Sequence, residues 1–199
     1  MKGGRESGAV AQYALDNAGN FEAALAVWMS FDTIKERLFR ECAIDLERAL
    51  LSTLNAGDGA GPWKAENTFA KSPLEKWKGL YVYRTEWKPR YDIGLEANRA
   101  FAGDFLFGIR KPSDTTPSKL RDSDRLQLDG QFGQGGGSKA WEWFRFLGPP
   151  YETWEGEILM EVYRKTKAVD YLVNRLGGKG LAEFARIAAP LIEAILPSP

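Results

Sequence analysis

The chemistry open to this chain is limited first by residue types that it lacks. Its 199 residues include no histidine and a single cysteine, Cys42. Catalysis by a serine or cysteine nucleophile with a histidine base is therefore excluded, and so are histidine-ligated and all-cysteine zinc sites. Carboxylates and lysines remain, and these favour chemistry that uses an oxygen-seeking cation such as Mg²⁺.

Glu86 and Lys88 have the spacing that suits metal-dependent hydrolysis of a phosphodiester. That reaction needs two acids that converge on a metal ion, together with a positioned base or lysine. The earlier acid would be Glu66 or Glu75, and neither lies on a predicted strand. Lys88 is equally explained as the partner of Asp92 in a predicted sheet. Nuclease chemistry is therefore the alternative interpretation of this pair.

Three consecutive strands are predicted between Gly79 and Arg110. Their sequences are GLYVYRTEWK, YDIGLEAN and DFLFGIR. In the second strand Ile93, Leu95 and Ala97 alternate with polar residues and glycine, which is the period of a half-buried strand. The first strand is rich in aromatic and β-branched residues. Because the connections are short, we predict an antiparallel meander.

The register of the first hairpin follows from the rule that opposite residues share a face. A three-residue turn, 89–91, sets Lys88 opposite Asp92 and Glu86 opposite Gly94. It also sets Arg84 opposite Glu96. A two-residue turn would mix apolar and charged residues on one face, so we predict the three-residue turn.

The second hairpin completes an outer face that could bind a partner. The same alternation places Gly94 beside Gly108 and Asp92 beside Arg110. Glycine inside a strand often marks the close approach of a ligand or of another backbone. The predicted binding surface consists of Arg84, Gly94, Glu96, Gly108 and Arg110. The alternatives are ordinary cross-strand ion pairs and a helix packed over the glycines.

The remaining sequence predicts helices around this sheet. Residues 1–57 form a helical lead, and residues 140–199 form an aromatic knot followed by C-terminal helices. Cys42 falls on an apolar helical stripe, so we interpret it as a core residue. The predicted fold is α+β, a small three-stranded antiparallel meander packed with N-terminal and C-terminal helices. The length fits a single domain, 1–199, or one domain with a helical extension.

Residues 111–139 are polar and rich in glycine, which predicts a flexible loop. The run Gly135–Lys139 has the sequence GGGSK but lacks the spaced glycine and the preceding strand of a phosphate-binding loop. We therefore interpret this segment as a linker rather than a nucleotide site.

Charge and hydropathy restrict the partners and the location. The chain has 27 basic and 27 acidic side chains, so its net charge does not attract nucleic acid or anionic membranes nonspecifically. A local basic patch stays compatible with these numbers. No apolar run approaches the roughly 20 residues that span a bilayer, and no membrane partner is predicted. The single cysteine is typical of the reducing cytoplasm.

The order of these parts resembles a known family. The segments FDTIKERLFRECAIDLERAL and WEWFRFLGPPYETWEGEIL flank the three predicted strands. This arrangement is similar to the C-terminal region of prokaryotic PD-(D/E)XK nuclease superfamily proteins, over about Phe21 to Leu176. The nuclease motif of that group usually lies upstream of this region. The resemblance therefore implies an accessory or recognition half standing alone, such as a truncated relative or a phage or mobile-element protein.

Two functions follow as expectations. The first is a non-catalytic module without a cofactor that recognises protein or nucleic acid through the outer face and residues 111–139. The second is a Mg²⁺-dependent nuclease, because Glu86-Trp87-Lys88 matches the E-x-K half of the family signature. In that alternative, the resemblance implies that Glu86 binds the metal and that Glu86 and Lys88 are catalytic.

Overall fold

A computed structural model of the protein describes residues 3–56, 62–111 and 119–196. The chain divides into two compact units, residues 1–37 and residues 38–199. Within the described ranges, no helix combines the length and the apolar character needed to cross a membrane.

The first unit is helical. Helix α1 spans Gly3–Leu15, and α2 spans Ala18–Met29. Helix α3 spans Phe31–Asn55 and crosses the boundary between the units. The N-cap of α2 is Asn17, whose side-chain oxygen accepts a hydrogen bond from the backbone N–H of Asn20 at 2.9 Å. A polar cap of this kind satisfies an amide that has no partner inside the helix.

The second unit contains a five-stranded antiparallel sheet. Its strands are β1 (Lys64–Asn67), β2 (Lys78–Tyr83), β3 (Asp92–Arg99), β4 (Gly103–Arg110) and β5 (Trp141–Phe146), paired in chain order. The predicted three-stranded meander is therefore wrong, because β1 and β5 extend the sheet on both sides. β1 has only four residues, KAEN, which are too few to show alternation. In β5, WEWFRF, aromatic residues lie on both faces and hide the period of two.

The register of the second hairpin is confirmed and that of the first is wrong. Gly94 lies opposite Gly108, as predicted. On the other side of β3, however, Tyr81 and not Glu86 lies opposite Gly94. β2 ends at Tyr83, and Thr85–Trp87 forms a 3₁₀ turn. This turn carries Trp87, which is almost fully buried, into the core.

The hydrophobic core lies between the inner face of the sheet and the surrounding helices. After β5 come α5 (Ile158–Arg164), α6 (Thr166–Asp170), a π-helical turn (Tyr171–Arg175), a 3₁₀ turn (Leu176–Gly178) and a last helix, Gly180–Ile195. Aromatic rings join the layers: the Phe107 ring of β4 packs edge-to-face on Phe184 at 5.1 Å between centroids. Cys42 is fully buried in this core, as predicted, and burial raises the pKa of its thiol to about 12. The thiol therefore stays protonated and packs as a small apolar group.

Part of the segment predicted as a flexible loop is helical. Helix α4 spans Asp122–Phe132. The last helix, Gly180–Ile195, is α7. Asp129 Oδ1 accepts hydrogen bonds from the indole N–H of Trp143 at 2.8 Å and from the backbone N–H of Gly135 at 2.9 Å. A side chain at Gly135 would collide with the Trp143 ring, so this glycine permits close packing on β5. Residues 112–118 of the predicted loop lie outside the described residues.

Gly108→Ala should destabilise the protein because the position has no room for a methyl group. The added Cβ would lie 2.1 Å from the Trp143 carbonyl oxygen and 2.7 Å from the Phe144 Cα, and both are backbone atoms of the neighbouring strand. We expect the free energy of unfolding, measured with urea, to fall by about 1–3 kcal/mol.

The matched control is Gly130→Ala on α4, where an added Cβ has no atom within 4 Å. This substitution should raise the free energy of unfolding by about 0.5–1 kcal/mol, because alanine favours a helix over glycine. Equal effects of the two substitutions would contradict the strand packing described for Gly108.

Candidate ligand-binding groove on the outer face of the sheet

The predicted glycine row lies on the outer face, the face turned away from the core, and aromatic rings cover it at Gly94. A Cβ on Gly94 would lie 2.7 Å from the Tyr81 ring and 3.0 Å from the Trp141 ring. Tyr81 therefore lies against the bare backbone of β3. The rings that fill the space at Gly94 belong to the same sheet, and neither a helix nor a ligand is needed to explain this glycine.

Tyr81 is the centre of a buried polar cluster. Its hydroxyl donates a hydrogen bond of 2.5 Å to Glu96 Oε2. The guanidinium carbon of Arg110 lies 3.5 Å from the centroid of the Tyr81 ring. The same guanidinium donates two hydrogen bonds of 2.8 Å to the two carboxylate oxygens of Asp92. Asp92 is fully buried, and Lys88 Nζ donates a further hydrogen bond of 3.0 Å to it.

Burial and charge shift the pKa values in this cluster. Burial raises the pKa of Glu96 above its ordinary value of 4.5, although the Tyr81 hydrogen bond and the charge of Arg110 oppose the shift. Burial and the neighbouring Glu96 charge raise the pKa of Tyr81. Burial disfavours the charge on Arg110, but the hydrogen bonds and charge of Asp92 outweigh it and raise the Arg110 pKa. Arg110 is thus held as a cation, while Glu96 protonates more readily than an exposed carboxyl.

A groove of about 730 Å³ lies beside this cluster. Its lining residues are Trp77, Glu96, Asn98, Leu106, Arg110, Lys111, Ser138, Ala140, Trp141, Phe144 and Phe146. Two rings offer the most surface to solvent, since Trp77 is 60% exposed and Phe146 is 47% exposed. The Lys76 ammonium lies 4.0 Å from the centroid of the Trp77 ring. The groove therefore combines aromatic surfaces with cations and one carboxylate.

The structure brings together four of the five residues of the predicted binding surface. Glu96 and Arg110 line the groove, Gly94 lies under the rings of Tyr81 and Trp141 beside it, and Gly108 lies against the backbone of β5. Arg84 lies elsewhere: it pairs with Glu193 of α7, and its guanidinium lies 5.0 Å from the Trp63 ring. The predicted pairing of Arg84 with Glu96 is wrong because β2 ends before Arg84.

Glu86 and Lys88 lie outside β2, so the predicted strand that would align them is wrong. Glu86 is exposed on the 3₁₀ turn. Lys88 forms the predicted ion pair with Asp92, at 3.0 Å, and also contacts Glu66 Oε2 at 3.3 Å. The Lys88–Asp92 ion pair joins the connection between β2 and β3 to the first residue of β3, and it does not join opposite residues of two paired strands. In the part of the chain that the structure describes, no group of three or more acidic, cysteine or histidine residues could hold a metal ion.

Most of the groove was missed by the sequence analysis. Trp77 and Lys111 carry no motif, and they come from separate parts of the chain, one before β2 and one after β4. Phe144 and Phe146 did give a signal, since they lie two residues apart and therefore share a face of any strand. Recognising WEWFRF as a strand would have placed both rings on one face of the sheet.

Replacing Glu96 with glutamine should change stability in a pH-dependent way. A carboxyl whose folded pKa is raised stabilises the fold fully below its unfolded pKa, and this contribution is lost as pH rises through the folded pKa. Glutamine does not titrate. The free energy of unfolding of Glu96→Gln relative to wild type should therefore increase between pH 4 and pH 7, as measured with urea.

Glu155→Gln is the control, because Glu155 is exposed on the surface of the same unit. The Glu96→Gln difference from wild type should change with pH by more than the Glu155→Gln difference. A Glu96→Gln difference that decreases as pH rises would contradict the raised pKa.

Comparison with known proteins adds no identification. No family model matches the chain, and neither a curated protein nor a solved structure matches it. The resemblance to PD-(D/E)XK nuclease superfamily proteins therefore stays a prediction, and the groove is the basis for the functional argument.

Proposed function

We propose that the protein is a non-catalytic binding module that takes single-stranded nucleic acid in the groove on the outer face of its sheet. The observation that carries this proposal is a groove beside the outer face of an antiparallel sheet that combines two exposed aromatic rings with nearby cations. Nucleobases that are free of a duplex stack on aromatic side chains and on guanidinium planes. Trp77 and Phe146 offer such rings.

The charges of the groove suit a phosphate backbone. Among the described residues that line it, Arg110 and Lys111 are basic and Glu96 is the single acid. Lys76 adds a third cation above the Trp77 ring. Because the whole chain is neutral, any attraction to phosphates is local to this surface.

The size of the groove is consistent with a short binding site. A volume of about 730 Å³ falls within the range of about 300–1,000 Å³ that is typical of ligand cavities. A duplex would keep its bases stacked on one another and away from the rings. The proposal therefore specifies single strands, and absence of oligonucleotide binding would favour a protein partner instead.

The cysteine content favours the cytoplasm, where single-stranded RNA is abundant. The relation to the accessory part of PD-(D/E)XK nuclease-like proteins, with a role in phage or mobile-element conflict, is supported only by the order of the sequence segments.

Binding is tested with fluorescently labelled single-stranded oligonucleotides of mixed sequence, by fluorescence anisotropy. We expect wild-type protein to bind them more tightly than a duplex of the same length, with affinity that falls as salt rises. Phe146→Ala should weaken binding by about 5- to 150-fold, the equivalent of the roughly 1–3 kcal/mol that one stacked base contributes.

Tyr163→Ala is the matched control, since Tyr163 on α5 is 61% exposed and does not line the groove. It should leave the affinity unchanged. Absence of binding by the wild type, or equal losses in Phe146→Ala and Tyr163→Ala, would contradict the proposal.

We expect no cleavage of DNA or RNA in the presence of Mg²⁺ or Mn²⁺. Lys88 is already engaged by Asp92 and Glu66, and Glu86 lies on a turn, so the two are not aligned by a strand. The assay compares wild type with Glu86→Ala and Lys88→Ala on supercoiled and single-stranded substrates. Cleavage by wild type that disappears in both variants would establish the nuclease alternative, with Glu86 as a metal ligand.

A further inference from the structure

We propose that Glu96 selects bases that carry an exocyclic amino group, so that the groove prefers cytosine to uracil. This inference rests on the proposed function and adds a residue that determines specificity. Among the described residues that line the groove, Glu96 is the only carboxylate. It lies on β3, in the middle of the sheet, where only 7% of the residue is exposed.

The carboxylate of Glu96 is held in one orientation. Among the described residues, only Tyr81 donates a hydrogen bond to it, at Oε2 and 2.5 Å. Oε1 keeps its acceptor capacity for a ligand. A fixed acceptor of this kind, placed at the base of an aromatic groove, can discriminate between partners because it does not have to reorganise on binding.

The position of Tyr81 is itself fixed from two sides. Its ring lies against Gly94 and Gly79, where an added Cβ would come within 3 Å of it. The Arg110 guanidinium covers the ring at 3.5 Å, and Asp92 holds that guanidinium with two hydrogen bonds. Glu96 is therefore oriented by a chain of buried contacts and not by solvent.

The chemistry of the bases gives the direction of the preference. A carboxylate accepts hydrogen bonds, and the cytosine N4 amino group donates them. Uracil presents a carbonyl oxygen at the same position, which would face the carboxylate oxygen without a proton between them. Adenine and guanine also carry amino groups, but cytosine and uracil are the sharper comparison because they have nearly the same size and stacking surface.

The experiment measures the affinity of the protein for 12-nucleotide oligocytidine and oligouridine by fluorescence anisotropy at one salt concentration and one mildly alkaline pH, which favours the carboxylate form of Glu96. We expect wild type to bind oligocytidine at least about fivefold more tightly, the lower end of the effect of one good base contact. Glu96→Gln should abolish or reverse this preference, since the amide can donate to the uracil oxygen, and should still bind oligouridine.

Two controls separate specificity from folding. Glu155→Gln makes the same charge change outside the groove and should keep the wild-type preference. Thermal unfolding establishes whether Glu96→Gln is folded under the binding conditions. If it is not folded, Glu96→Asp is used instead. This variant keeps the charge on a shorter side chain and should prefer cytosine less strongly than wild type does.

The outcomes distinguish this inference from the function on which it rests. Equal binding of the two oligonucleotides by wild type would overturn the role of Glu96 while leaving nucleic-acid binding intact. A preference that persists in Glu96→Gln would assign specificity to another residue and overturn it as well. Failure of wild type to bind either oligonucleotide would overturn the proposed function and this inference together.

Discussion

The outer face of the sheet depends on the absence of side chains at Gly94 and Gly108. At Gly94 the free space is filled by the rings of Tyr81 and Trp141. At Gly108 the neighbouring strand approaches so closely that a Cβ would overlap its backbone. Glycine is usually unfavourable in a strand, because it packs poorly and loses much conformational freedom on folding. Here that cost is offset by aromatic packing that a larger residue would prevent.

The Tyr81 ring, which lies against Gly94, also contacts the charged groups of the outer face. Arg110 covers the Tyr81 ring and binds the fully buried Asp92 through two hydrogen bonds. A buried carboxylate is costly unless cations and hydrogen bonds compensate for it, and Lys88 supplies a second partner. The Asp92–Arg110 pair, for which the sequence also allowed an ordinary cross-strand ion pair, is therefore part of a buried network. In such a network the loss of one partner leaves another charge uncompensated.

Two residues of this buried network, Glu96 and Arg110, line the groove. Trp77 precedes β2, Lys111 follows β4, and the aromatic residues of β5 complete the lining. β5 is fixed in turn by α4, since Asp129 binds the Trp143 indole N–H. The segment with the composition of a linker thus positions an edge strand, because Gly135 allows the chain to pack closely on Trp143. Binding residues on strands are held more firmly than residues on loops.

The sequence by itself determined the three central strands, the second hairpin register and the burial of Cys42. In each case the information is local, since alternation or helical spacing identifies a face within a few residues. The tertiary structure decided the rest. Trp87 is buried in the core, and the chain reaches it by ending β2 at Tyr83 and turning, which no local pattern indicates.

The same limit explains the candidate site. Glu96 and Arg110 could be placed on the outer face from the alternation of β3 and β4. The groups that contact them could not be placed, because Tyr81 lies opposite Gly94 only in the register that packing of the core imposes. The aromatic wall of the groove likewise forms when β5 pairs with β4, about 30 residues later in the chain. Whether two distant strands pair depends on how much apolar surface both bury together, and the sequence of one strand alone does not specify this.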